Sequence, residues 1–372
     1  MNKKIIIAVI IAILGGIFYF NRDIKPMSVT EKDIPKLPVI GKAPEIQGIL
    51  GWINSDPISF EKLKGKVVLV DFWTYSCINC IRTLPYVQGW YEKYKDNGFV
   101  LLGVHAPEFD FEKNQKNVES AVQKYGLTYP VALDSDHKTW NTFANRYWPA
   151  HYLIDVEGNI RYQHFGEGRY IETEKAIQSL LLEAGLLTID KIAEVAEPPT
   201  AVGADFSGIG TPEIYLGYLR INNVGNMDEN VPAGKSFTFK MPEIIEKNKF
   251  YYSGTWRVDP EFSQYIGNPP SAHSGGGGGE EGKISIQYKA SKLNMVLSAE
   301  GNEVEAEIKV DGKYLDESNK GADIEIVNGV SKVRVMESRL YNLIDTKSSY
   351  DWHILELIPK NPGFRAFTFT FG

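Results

Sequence analysis

Apolar positions fall into three regimes along the chain. Residues 5–20, IIIAVIIAILGGIFYF, are apolar or glycine with no polar face. Between residues 67 and 187, short apolar runs alternate with amphipathic stretches. From about residue 213 onward, apolar and polar residues alternate at strand length. In the middle regime VVLVDFW (67–73) and FVLLGVHA (99–106) are continuous apolar runs, as buried central strands require. YPVALD (129–134) predicts a shorter strand, and HYLIDVEGNIRYQHFG (151–166) predicts two strands about a turn at Glu157-Gly158-Asn159. Helices are predicted over 77–97, over 112–125 with Val118, Ala121, Val122 and Tyr125 on one face, and over 170–185, ending at Gly185. This order describes one α/β domain over 43–187. In the last regime eight segments read as strands: 236–241, 250–258, 283–290, 293–299, 304–310, 331–337, 352–358 and 366–372. Their short spacing predicts an all-β sandwich of jelly-roll type over 213–372.

The first regime predicts a membrane helix. Lys3 and Lys4 precede the apolar run, which rises roughly 24 Å as a helix against a hydrocarbon core of ~30 Å. The run ends in Ile17, Phe18, Tyr19 and Phe20, too bulky for signal cleavage, so residues 1–22 read as an uncleaved signal anchor. The lysines stay cytoplasmic, which puts the body of the protein outside the cytoplasm as a single-pass cell-membrane protein. Residues 23–42, with Pro26, Pro35 and Pro38, read as a linker. A second linker, 188–212, carries Pro198 and Pro199. The run Gly275–Gly279 is followed by a strand and by no phosphate-binding lysine, so it reads as a flexible loop.

Composition narrows the function. The net charge is −7 with no long basic run, which argues against nucleic acid as the main partner. The chain of 372 residues has two cysteines, too few for a disulfide-stapled scaffold or a four-thiolate zinc site. Both lie in WTYSCINC (73–80). A lone C-x-x-C pair leaves a redox dithiol, half of a zinc site, or an incidental pair. The six histidines (105, 137, 151, 164, 273 and 353) show no paired ligand spacing beside it, so no metal or cofactor is expected. His105 reads as a hydrogen-bonded loop histidine that could lie near the pair at a strand end, and Glu108 as a solvated loop carboxylate, with a second titrating group as its alternative.

The position of the pair favours the dithiol. Cys77 follows a buried strand and opens a helix, where unpaired backbone N–H groups and the helix dipole favour a thiolate. That makes Cys77 the attacking nucleophile. Cys80, one turn on and farther inside, is placed to attack the resulting mixed disulfide. The segment DFWTYSCINC resembles the active-site segment of the thioredoxin fold. The resemblance implies that Asp71 is the buried acid that takes and returns the proton of the inner cysteine. It also implies that Trp73 packs on the site, that Pro85 kinks the active-site helix, and that Pro149 is the cis-proline of the substrate-binding loop beside Trp148. The segments GVHAPEFDFEKN, YWPAHYLIDVEGNIRYQHFGEGRY, TPEIYLGY and AFTFTFG extend the resemblance over roughly residues 40–372. They are similar to the extracytoplasmic part of DipZ-type proteins, a TlpA-like thioredoxin domain followed by a domain like a carbohydrate-binding module.

These resemblances imply a thiol–disulfide oxidoreductase that reduces protein disulfides, its only redox group the Cys77–Cys80 pair. The DipZ-type architecture has a CcdA-like multi-helix membrane domain upstream. A single anchor stands here instead, so a separate CcdA/DsbD-like membrane protein is the expected electron donor. An oxidase or isomerase stays open as an alternative. A thioredoxin-fold peroxidase is disfavoured: Thr74 lies three residues before Cys77, but Val70 stands where the peroxidatic pattern has proline. As a binding module instead, the β domain would take a glycan or a protein. Trp256, Tyr251, Tyr252 and Tyr288 are the aromatics that could stack on a sugar, although such residues more often pack in cores.

Overall fold

The computed structural model describes residues 35–192, 206–227, 233–267, 280–347 and 349–372. The expected anchor, most of the first linker, the prolines of the second and the five-glycine run lie outside the described residues. Among the described residues, no helix is long and apolar enough to cross a membrane.

The first half of the chain contributes β1 (Gly41–Lys42), β2 (Trp52–Ile53), β3 (Val67–Trp73), α1 (Ile78–Tyr94), β4 (Phe99–His105), α2 (Gln115–Lys124), β5 (Val131–Leu133), α3 (Lys138–Thr142), β6 (Ala150–Ile154), β7 (Asn159–Phe165) and α4 (Tyr170–Glu183). The strands form one sheet in the order β1-β7-β6-β3-β4-β5-β2. β3 is buried at every position because it is central and covered on both faces. Val67, Leu69 and Trp73 face α1 and α4, while Val68, Val70 and Phe72 face the opposite side, with Trp140 and Phe143. β3, β4 and β5 run parallel, and β6 and β7 return antiparallel. The end of the expected first linker is in fact part of this unit. Gly41–Lys42 pair with Asn159–Ile160, and the carbonyls of Pro35 and Leu37 accept hydrogen bonds from Ser179 and Arg161. Two-residue strands carry no readable periodicity, so only their partner identifies them.

The second half contributes β8 (Ile214–Tyr215), β9 (Ser236–Phe239), β10 (Phe250–Val258), β11 (Ser263–Gly267), β12 (Lys283–Lys289), β13 (Lys292–Ala299) and β14 (Val304–Val310). It continues with β15 (Lys313–Tyr314), β16 (Ile324–Val327), β17 (Val330–Val335), β18 (Arg339–Asp345), β19 (Trp352–Pro359) and β20 (Phe364–Phe371). Together they make a large sheet-rich region whose hydrogen-bonded path runs β16-β17-β14-β19-β12-β10-β11-β20-β13-β18. β10 changes partners partway along. Phe250–Ser253 pair with β12, and Thr255–Val258 pair with β11. The switch falls at Gly254, whose φ of 76° a side-chain-bearing residue would resist. The sheet therefore curls onto itself. Tyr288 of β12 stacks on Phe371 of β20, with centroids 5.8 Å apart, although the two strands are not neighbours. Trp256, Tyr251, Tyr252 and Tyr288 are all buried, so none of them presents a face to a sugar.

The two halves meet along an aromatic seam. Phe109 and Phe111, from the segment after β4, pack on Phe367 of β20 at 5.1 and 5.0 Å. Val296 completes the buried cluster. The Tyr75 hydroxyl donates to the Ser338 carbonyl at 3.2 Å, and the Asp110 N–H donates to Glu261 at 2.9 Å. Phe367→Ala should cost about 3–5 kcal/mol, the usual range for truncating a buried phenylalanine. Chemical unfolding would read this as a lowered midpoint. A change below about 1 kcal/mol would mean that the seam is not a packed interface.

Candidate active site

The dithiol sits where β3 hands over to α1. Cys77 is the N-cap residue, with extended backbone, and its Sγ accepts the Cys80 N–H at 3.2 Å. An N–H at the open end of the helix thus points at the sulfur. Both cysteines are free thiols; Cys77 is half-buried and Cys80 is buried. Burial pushes the Cys80 thiol well above its ordinary value, with further contributions from Cys77 and from the charge of Asp71. Pro85 lies inside α1, one turn beyond Cys80.

Asp71 is buried in β3 on the same face as Trp73. Its Oδ1 lies 3.3 Å from Nε2 of His151 on β6, within ion-pair distance but outside hydrogen-bond geometry. Tyr129 packs nearby, and burial and then the charges of Asp71 and Cys80 raise its phenol. Gly103, beside Asp71 on β4, makes the room. A Cβ there would lie 2.8 Å from the Tyr129 ring and 3.1 Å from Trp73 Nε1. Trp73 is therefore a buried wall under the dithiol, not a surface.

The loop before β6 faces the exposed side of the dithiol. The Trp148–Pro149 peptide is cis. Trp148 donates its indole N–H to the Ala106 carbonyl at 2.9 Å and lies against Trp140, with centroids 4.3 Å apart. Ser76, Cys77, Asn79 and Trp148 line a pocket of about 240 Å³, and Glu213, Tyr215, Arg220 and Thr368 of the β region close its other side. Glu108 is no solvated loop carboxylate: it accepts the Tyr215 hydroxyl at 2.8 Å and an Arg220 N–H at 2.7 Å. Burial, with Glu108 beside it, raises Glu213 to about 7. His105 is likewise no loop residue. It ends β4 fully buried, 3.3 Å from the Thr74 hydroxyl, and burial lowers it to about 3.

Three supports of the dithiol loop were not foreseen. Glu112 is fully buried and binds four donors. One oxygen takes the N–H and O–H of Ser76, at 3.2 and 2.7 Å, and the other takes the N–H groups of Glu108 and Phe109, at 2.6 and 3.0 Å. Arg82 of α1 grips Glu167, at 2.8 and 2.5 Å, and Asn79 of the C-x-x-C loop, at 2.7 Å. The buried row of His151 beside Asp71 is the third. Short-range pattern marks none of Glu112, Arg82, Glu167 and His151. Among the described residues, no cluster of His, Cys, Asp or Glu is placed to hold a metal ion.

Comparison with known proteins agrees with this geometry. Residues 41–163 match the AhpC/TSA family, and residues 211–372 match the family described as "Thioredoxin like C-terminal domain". Protein DipZ of Mycobacterium bovis is 36% identical over 296 residues, which is 77% of this chain but 39% of that protein. The chain thus spans about two-fifths of the length of that relative. Thiol-disulfide oxidoreductase ResA of Bacillus thuringiensis is 32% identical over 135 residues, 36% of this chain and 74% of that protein. Thiol-disulfide oxidoreductase YkuV of Bacillus subtilis is 29% identical over 140 residues, 38% of this chain and 94% of that protein.

Proposed function

We propose, for a chain that belongs to the thioredoxin-fold thiol–disulfide oxidoreductases of the TlpA/DipZ type, that it is a membrane-anchored, extracytoplasmic reductant of protein disulfides. The observation that carries the chemistry is the Cys77 sulfur at the open end of α1. It faces the pocket opposite Trp148 and cis-Pro149, with Cys80 one turn behind it. Cys77 attacks a substrate disulfide, expels one substrate thiolate and forms a mixed disulfide. Cys80 attacks the Cys77 sulfur, releases the second substrate thiol and closes the Cys77–Cys80 disulfide. Asp71 takes the Cys80 proton. Trp148 and Pro149 hold the substrate backbone, and Trp73 packs behind the pair. Two electrons leave with the substrate, so a membrane donor of CcdA/DsbD type must restore the dithiol.

The lysine-flanked apolar run at residues 5–20 supports the anchor and the outward orientation. The alternating pattern and the curled sheet support a jelly-roll reading of the β region. Its place opposite Cys77 supports a role beside the substrate, since the aromatics best suited to a glycan are in the core. Peroxide reduction is the second reading, on the AhpC/TSA match. Against it, Cys80 lies one turn from Cys77 and its N–H is already on the sulfur.

The test of direction is the reduction potential of the Cys77–Cys80 couple, measured on the soluble part in thiol redox buffers. A reductant should poise near thioredoxin, ~−270 mV, and an oxidase near DsbA, ~−120 mV. The second value would reverse the proposed direction. No reversible couple at all would end the dithiol reading.

A further inference from the structure

The buried dithiol poses a problem of proton traffic. Cys80 is 1% exposed and must lose its thiol proton before it can attack the mixed disulfide. Asp71 is also 1% exposed, so a proton that it accepts is still sealed inside. One row of side chains leads out. In the sheet Asp71 of β3 stands directly opposite His151 of β6, and His151 stands directly opposite His164 of β7. Directly opposed residues on antiparallel neighbours share a face, so the three side chains form one transverse row under α1. Asp71 Oδ1 and His151 Nε2 are 3.3 Å apart. The His151 and His164 rings have centroids 6.1 Å apart, which direct contact or one water can span. Trp90 of α1 closes the row from above, edge-on to His151 at 5.8 Å.

We propose that Asp71, His151 and His164 form a proton relay that carries the Cys80 proton from the buried dithiol to solvent beside the loop after β7. This rests on the dithiol reading of Cys77 and Cys80. An imidazole suits the task because one ring nitrogen accepts a proton while the other releases one. His151 is 1% exposed, and neither ring nitrogen has a hydrogen bond among the described residues. A buried polar group left so is costly and calls for an explanation, where an apolar residue would simply pack. His164 is the half-buried end of the row; its Nε2 is buried without a hydrogen bond among the described residues, and it lies beside the Glu167 backbone and the charges of Arg169 and Glu172. Burial, and then His151, lower its basicity, which keeps the outer imidazole neutral and able to pass a proton on.

The step balances. The Cys80 thiol gives its proton to the Asp71 carboxylate, and the Cys80 thiolate forms the bond to Cys77 Sγ. The Cys77–substrate S–S bond breaks, and its electron pair leaves on the substrate sulfur. Asp71 passes the proton to His151, His151 passes one to His164, and His164 releases one to water. The substrate thiolate takes its proton from solvent.

The test uses reduced protein and 5,5′-dithiobis(2-nitrobenzoate) in stopped flow. Attack by Cys77 releases the first coloured thiolate, and attack by Cys80 releases the second, so the two phases report the two steps. The groups facing the row are Cys80 on α1, Tyr129 after α2, and Arg169 and Glu172 at the start of α4, while the Glu167 carboxylate is held by Arg82. The pH profile of the second phase is therefore compared between variants, not read alone. His151→Asn should slow the second phase about a hundredfold, the low end of what a lost acid–base group costs. It should also shift the pH profile of that phase, and added imidazole should restore the rate. His164→Gln, at the half-buried end and thus safe for folding, should give a smaller slowing with the same rescue. Equal slowing of both phases in His151→Asn, or a slow second phase that imidazole does not restore in either variant, would overturn the relay. If the wild-type protein released no second thiolate, the dithiol reading itself would fail, which no histidine variant can imitate.

Discussion

Cys77→Ser should abolish disulfide exchange, and Cys80→Ser should leave the protein joined to its substrates. The asymmetry follows from the geometry. Cys77 opens onto the pocket and receives an N–H on its sulfur, so it is the thiol that an incoming disulfide meets. A serine hydroxyl in the same place is a far weaker nucleophile, and insulin reduction should fall to the rate without protein. Cys80 is sealed, and its raised thiol is spared from reacting with solvent disulfides. Its replacement leaves the first attack intact and removes the second, so mixed disulfides should accumulate. They would be visible as added mass that a reductant removes. Full insulin reduction by Cys77→Ser would sink the mechanism. A Cys80→Ser protein that turns over normally would show that the second thiol is not the resolving one.

The sequence carried those parts of the site that are written locally, and missed those that are written across the fold. β3 and β4 are legible because two-sided burial demands continuous apolar runs, and the C-x-x-C pair is placed by the buried strand just before it. The supports of the site are long-range. Ser76 and Glu112 are 36 residues apart, and Arg82 and Glu167 are 85 apart. The row of Asp71, His151 and His164 exists only once the strands are in register. The burial of His105 and the Tyr215 and Arg220 partners of Glu108 are hidden from the sequence for the same reason. A histidine ending a strand is a loop neighbour or a core residue according to what covers it, and here Trp73 and Tyr75 do. In the β region, RLYNLID of β18 lacks clean alternation. It becomes a strand because β13 pairs with it across a bulge.

Glu112 is where this long-range wiring should have its second large effect. Its carboxylate joins Ser76, next to the nucleophile, to Glu108 and Phe109, the segment that meets the β region. Glu112→Leu would strand four donors in a dry site, at roughly 1–3 kcal/mol each where none finds a new partner. It should destabilise the protein by several kcal/mol and displace the Cys77 loop. The milder Glu112→Gln removes the titration, although its NH2 then faces two of the four donors, a cost that does not vary with pH. Burial pushes Glu112 from 4.5 up to about 7, against the pull of its donors. Between these values the folded state holds a proton that the unfolded chain has lost, so stability falls as pH rises. The contribution is complete below about pH 4.5 and is lost as pH passes 7. Each pH unit of that window is worth ~1.4 kcal/mol, on the order of 3 kcal/mol across it. Glutamine has no proton to lose. Urea unfolding at pH 5 and pH 8 should therefore show the wild-type advantage over Glu112→Gln shrinking by that order at the higher pH. Glu213 and the other titrating groups are common to both proteins and cancel in the difference. An advantage that stays constant or grows from pH 5 to pH 8 would mean that the four donors hold Glu112 ionised throughout, and that it acts as a fixed strut with no pH sensitivity.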